Sequence, residues 1–205
     1  MKLYLSSYRL GSRFGELRRE LRGNAKVAVV SNALDYISPD KRAGYRGFNV
    51  TAAFRESGLD AFDLDLRLFF NRAEELDSLL GDTRLVWAVG GNSFILRRAF
   101  RQSGLDGILI QRVGEGSLIY GGWSAGACVA GSSLRGVHVM DDPPLAPDGY
   151  HPEIIWDGLG LVDFVIVPHV WSLHPETLGA SAAVRWLRRE KLPFKALRDG
   201  EVIIR

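Results

Sequence analysis

The sequence predicts an α/β fold, one mostly parallel sheet with helices on both faces. Three observations predict it. Apolar runs such as residues 26–34 (KVAVVSNAL) are nearly continuous rather than alternating, as strands covered on both faces must be. Helix-compatible segments separate these runs, so neighbouring strands are joined by crossovers. The chain has 205 residues, 46% hydrophobic and 24% charged, enough for one full core and short for two, which makes 1–205 a single domain.

Taken in order, residues 2–7 (KLYLSS) read as the first strand, and 15–23 as a helix stopped by Gly23. After the strand at 26–34, Ser38-Pro39 signals a helix entry in a segment running to Gly58. Residues 59–67 alternate like a strand, and 71–82 read as a short helix. A strand at 84–93 (RLVWAVGGNS), two helices at 94–104 and 105–116, and a strand at 117–124 (SLIYGGWS) follow. The strand at 162–170 (VDFVIVPHV) comes after a long irregular stretch, 139–160, of the kind that is usually functional. Residues 196–205 (ALRDGEVIIR) read as a hairpin turning at Asp199-Gly200.

Composition narrows the function classes. Net charge is only +2, and the basic clusters at 18–21, 96–101 and 185–190 lie in helix-like text, as solvated helix faces would. That argues against a nucleic-acid partner. One cysteine, Cys128, allows no intrachain disulfide and no cysteine-rich metal site; it reads as a small buried residue. The first twenty residues lack a signal-peptide pattern and no stretch is long and apolar enough to span a bilayer, so a cytoplasmic location is expected.

The chemistry-bearing motif is Gly122-Trp123-Ser124-Ala125-Gly126, a G-x-S-x-G between an apolar strand and a helix-compatible run. So tight a strand-to-helix turn needs small flanking residues, and it presents the serine at the carboxyl end of the sheet with free helix N–H groups behind it. A serine there serves equally well as a helix N-cap, so partners must decide. Of the four histidines, His138, His151, His169 and His174, His169 ends a predicted strand, where ligands bind in open α/β sheets, and is the best base. An acid between Ser124 and His169 would be Asp141, Asp142, Asp148, Glu153, Asp157 or Asp163; Asp141 and Asp142, entering the long loop, are reasonable choices. Gly90-Gly91-Asn92, at the end of another strand, is the obvious source of a second oxyanion donor. It lacks the lysine and glycine spacing of nucleotide-binding loops. Trp87, Trp123, Tyr150, Trp156 and Trp171 fall near this site, as pocket wall or as core.

The series AVGGNSFILRRAF, GGWSAGA, an acidic D-x-P piece and VPHV, in that order, resembles the peptidase E family of serine peptidases, alpha-aspartyl dipeptidases related to the cyanophycinases. The resemblance covers most of the chain. It implies a glutamine-amidotransferase-like three-layer α/β sandwich, no metal or other cofactor, and a Ser-His-acid triad acting on short peptides. By position it implies Ser124 as nucleophile, His169 as base, Asp141 as acid with Asp142 the alternative, and Gly91 and Ala125 as oxyanion donors. The family's specificity arginine, in a G-E-T-R-like motif after the histidine, has no counterpart before Arg185. That points to altered specificity, as in a broader dipeptidase or a carboxypeptidase-like enzyme. A cyanophycinase-like hydrolase, an esterase and a non-catalytic peptide-binding relative are the alternatives, and homo-oligomerisation is left open.

Overall fold

A computed structural model describes residues 1–42 and 48–205, without the side chains of 39 and 40. Eight strands and eight helices alternate among them: β1 Leu3–Ser6, α1 Phe14–Glu20, β2 Lys26–Val30, α2 Pro39–Arg42, α3 Val50–Glu56, β3 Asp60–Leu64, α4 Ala73–Leu80, β4 Leu85–Ala88, α5 Ser93–Ser103, α6 Leu105–Glu115, β5 Ile119–Trp123, α7 Ala125–Cys128, β6 Val165–Val167, α8 Thr177–Arg189, β7 Phe194–Ala196 and β8 Val202–Ile204. The fold is α/β. Six strands form one sheet in the order β3-β2-β4-β5-β1-β8, and only β8 runs antiparallel to its neighbour.

Alternate residues of the strands feed two separate cores, which is why the strand text is apolar throughout. Tyr4, Val27, Val29, Leu85 and Trp87 pack against Leu17 of α1 and Phe54 of α3. Leu5, Ala28, Val30, Val86, Ala88 and Tyr120 face α4, α5, α6, α7 and α8 on the other side. All parallel strands therefore end at one edge, and the loops bearing the candidate residues gather there.

Three expectations are corrected. The C-terminal text is not a hairpin: β7 pairs parallel with β6 in a two-stranded sheet, and β8 crosses to pair with β1. The Asp199-Gly200 turn thus joins two sheets and lies beside the end of β1, where Ser7 N–H bonds the Glu201 carbonyl. The helix read from Ser38 to Gly58 is divided into α2 and α3; residues 43–47 within that reading lie outside the described residues.

The third correction concerns α5. Arg97 and Arg98 are buried rather than solvated, and only Arg101 of that cluster is exposed. Arg98 donates to the carbonyls of Pro143, Leu145, Pro152 and Glu153, and Arg97 to the carbonyl of Asp157 and to Asp106. Burial pushes both guanidinium pKa values down from the usual arginine value. Outside an isolated bridge from Ser133 to Asp157, the long segment 139–160 has no ladder of its own. These two side chains satisfy carbonyls that a sheet would otherwise pair. Arg98→Met removes four donated bonds and leaves their acceptors partly dry. It should lower unfolding free energy by about 2–4 kcal/mol in urea melts. An unchanged midpoint would mean that water replaces the guanidinium.

Candidate active site

Ser124 follows β5 at the strand-to-helix turn. Its backbone sits at φ 49°, ψ −115°, a conformation costly for a residue with a side chain. The turn survives because its flanks are glycine. A Cβ on Gly122 would lie 2.6 Å from the Ala88 carbonyl oxygen of the neighbouring strand, and one on Gly126 would lie 2.2 Å from it. The Ser124 N–H is held by the Ser6 carbonyl at 3.2 Å, fixing the turn to β1 as well.

His169 lies two residues beyond β6, fully buried and at φ 62°. Its Nε2 is 3.0 Å from Ser124 Oγ, and its Nδ1 is 2.7 Å from Asp199 Oδ1. With Nδ1–H donating to the carboxylate, Nε2 carries the lone pair that can accept the serine proton. Ser7, at the end of β1, ties the arrangement together. Its hydroxyl accepts the His169 N–H at 2.9 Å and bonds Asp199 Oδ1 at 3.1 Å. Asp199 N–H donates in turn to Ser172 Oγ at 2.8 Å.

The carboxylate on the imidazole is therefore Asp199 and neither Asp141 nor Asp142. Asp141 accepts the Ser93 N–H at 2.8 Å, at the start of α5, and the Asp142 carbonyl accepts from the Asn92 side chain at 3.0 Å. Both residues brace the Gly90-Gly91-Asn92 loop, whose Asn92 caps α5 by accepting from Phe94 and Ile95 N–H. Gly91 sits at φ 146°, and a Cβ there would meet the Ala33 carbonyl oxygen at 2.4 Å, so only glycine fits. The adjoining Gly90 packs against Trp123 and Ser124, which brings this loop up to the serine turn. Ala125 begins α7, and its N–H belongs to the first turn, which has no acceptor within the helix.

Sequence reasoning missed Asp199, Ser7 and Glu176. Asp199 was hidden in an ordinary Asp-Gly turn, whereas Ser7 carried a signal, its place at the carboxyl end of the first strand. Glu176 Oε2 lies 3.8 Å from His169 Nε2. His174 stacks on His169, ring centroids 3.7 Å apart and planes 9° apart. Ligand atoms of His169, His174 and Glu176 lie within 4.8 Å of one another, close enough to suggest a cation. Parallel stacked rings, however, keep their lone pairs in two separate planes, a poor arrangement for shared coordination. His138 stands apart between Trp156 and Trp186, its pKa lowered by burial, and His151 is exposed.

The aromatic residues divide. Trp87 is core, while Trp123 borders a cavity beside Ser124. Tyr150 bonds Asp35 and Asn32, and Trp156 packs on Phe94. Trp171 is exposed beside Arg198. Cys128 is buried, with its thiol toward the Ile166 carbonyl, and burial pushes its pKa well up. Iodoacetamide should accordingly leave Cys128 unmodified in the folded protein and modify it fully in denaturant, read by intact mass. Rapid native labelling would contradict the burial.

The model of peptidase family S51 matches residues 47–205. An uncharacterised peptidase of Listeria innocua is 30% identical over 164 residues, 76% of this chain and 69% of that protein. Peptidase E of Streptomyces coelicolor is 32% identical over 155 residues, covering 73% of this chain and 59% of its own length. Peptidase E of Citrobacter koseri is 36% identical over 97 residues, 47% of this chain and 38% of that protein. The crystal structure of a putative peptidase E protein from Listeria monocytogenes superposes with a TM-score of 0.75 at 21% identity, covering 99% of this chain and 97% of the other. That likeness carries the fold alone. Among the described residues no helix is long and apolar enough to cross a membrane. The match over more than three quarters of the sequence, together with these relatives, establishes that the chain belongs to peptidase family S51 and is a serine-type peptidase.

Proposed function

We propose that the protein hydrolyses short peptides through an acyl-enzyme on Ser124, with His169 as general base, Asp199 as orienting carboxylate, and the N–H groups of Gly91 and Ala125 as oxyanion donors. One observation carries this reading. A continuous line of hydrogen bonds runs from Oγ of Ser124, held in a strained turn, through both nitrogens of His169 to Asp199.

In this mechanism Nε2 takes the hydroxyl proton as Oγ attacks the scissile carbonyl. Asp199 keeps the imidazole in the right tautomer and balances the imidazolium. Negative charge building on the carbonyl oxygen meets the two backbone donors in a site where Ser124 and His169 are both buried, which strengthens those bonds. His169 then returns its proton to the leaving amine, and water, activated by the same nitrogen, releases the acyl group.

The test is a panel of peptides, dipeptides and longer chains free or blocked at either end, incubated with wild type and with Ser124→Ala and read by mass spectrometry. Cleavage by wild type alone is the expected result. Absence of cleavage by wild type across the panel overturns the reading. The termini that must be free distinguish a dipeptidase from a carboxypeptidase-like enzyme.

A further inference from the structure

A cavity of about 310 Å³ opens beside the nucleophile, on the face of the sheet covered by α1 and α3. Its walls include Trp123 and Gly90, the residues immediately before Ser124 and Gly91. Phe48 faces Trp123 with ring centroids 5.8 Å apart. The Arg9 guanidinium lies 4.9 Å from the Phe48 ring centre and 5.1 Å from that of Tyr8. Tyr8, another wall residue, in turn packs on His169 with ring centroids 6.0 Å apart, so one wall of the cavity rests on that imidazole. The glycine at 90 is part of the wall's construction: a Cβ there would lie 2.6 Å from the Trp123 indole nitrogen.

We propose that this cavity receives the side chain on the acyl side of the scissile bond and selects a large aromatic one. The inference rests on Ser124 being the nucleophile. A carbonyl held by the Gly91 and Ala125 donors belongs to the acyl residue, and that residue's side chain starts one carbon away. The cavity is bordered by Gly90, next to the Gly91 donor, and by Trp123, next to Ser124. Three rings and a guanidinium laid on two of them offer edge and face contacts to a fourth ring.

The charges lining the cavity are largely committed. Arg42 is paired with Asp35 at 2.5 Å and donates to the Ile37 carbonyl, and Asp63 accepts the Thr51 hydroxyl at 2.5 Å. A short carboxylate side chain would leave most of the volume unfilled and meet the rings of Phe48 and Trp123 as well as the Arg9 guanidinium laid on Phe48. A benzyl or phenol side chain occupies more of it and lays its ring against those of Tyr8, Phe48 and Trp123.

The test compares the dipeptides Phe-Ala, Ala-Ala and Asp-Ala, with Ala-Phe as the control for side. Wild type should show kcat/KM for Phe-Ala about 100-fold above Ala-Ala and Asp-Ala. Phe48→Ala should reduce the ratio of Phe-Ala to Ala-Ala about tenfold, and Phe48→Leu should restore part of it. Calorimetric binding to Ser124→Ala provides a readout independent of turnover. Phe-Ala should bind about tenfold more tightly than Asp-Ala, and adding Phe48→Ala should erase the difference. Cleavage with a flat or acid-preferring ranking, or a ranking indifferent to Phe48, overturns the pocket and leaves the peptidase mechanism standing. Absence of turnover on these dipeptides and on the longer peptides, with the binding order intact, overturns the mechanism and leaves the pocket standing. Equal binding of all four dipeptides overturns the pocket whatever the turnover.

Discussion

Ser124→Ala should lower kcat on any cleaved peptide by about 10⁶-fold, with an unchanged or slightly raised unfolding midpoint. The magnitude follows from what is removed. Alanine keeps the Cβ and the strained backbone of the turn, and the N–H to the Ser6 carbonyl is untouched. Only Oγ and its 3.0 Å contact with His169 Nε2 are lost. The Cys128 thiol, four residues on, is no substitute, being buried with its pKa raised. His169→Ala should cost about as much as Ser124→Ala, and the double variant no more than either, because nucleophile and base act as one unit. Active-site titration with intact-mass readout, beside steady-state kinetics, checks this. Residual activity of about one part in a hundred in Ser124→Ala would move the chemistry to another residue.

The legible and illegible parts of this protein differ in range along the chain. Strands buried on both faces write themselves as unbroken apolar text, so β2, β4 and β5 could be read without any partner. The serine turn was legible too, since its strand-to-helix text with glycine on both flanks is contiguous, although the Ala88 carbonyl that demands those glycines comes from the neighbouring strand. Arg97 and Arg98 were misread because an arginine on a helix looks the same whether it meets water or the carbonyls of a loop about fifty residues downstream. β8 was misread because its text suits a hairpin, while its pairing with β1 is set by closure of the sheet edge. A strand turn that links two sheets carries no mark of doing so.

Asp199 gives that limit its sharpest consequence. Asp199→Ala should reduce kcat about 10³–10⁴-fold, and Asp199→Asn should be nearly as damaging because its amide would favour the wrong imidazole tautomer. Asp141→Ala is expected to act differently. It removes a carboxylate that accepts the Ser93 N–H at the positive end of α5. Its cost is therefore about 1 kcal/mol of stability and a kcat change of about tenfold at most, transmitted through the Gly90-Gly91-Asn92 loop. The contrast arises from distance along different elements. Asp141 follows the nucleophile helix and is anchored to α5, whereas Asp199 arrives from the turn after β7, placed by the Ser7 hydroxyl and the Ser172 hydroxyl on either side. Ser7→Ala should then behave as an attenuated Asp199→Ala, lowering kcat about tenfold, because the carboxylate stays but loses one of its supports. Parallel measurement of kcat and thermal midpoint for the four variants separates the two roles. A loss of kcat in Asp141→Ala exceeding that in Asp199→Ala, at equal fold stability, would return the acid to the segment after the nucleophile helix and make the 2.7 Å contact on His169 Nδ1 a structural one.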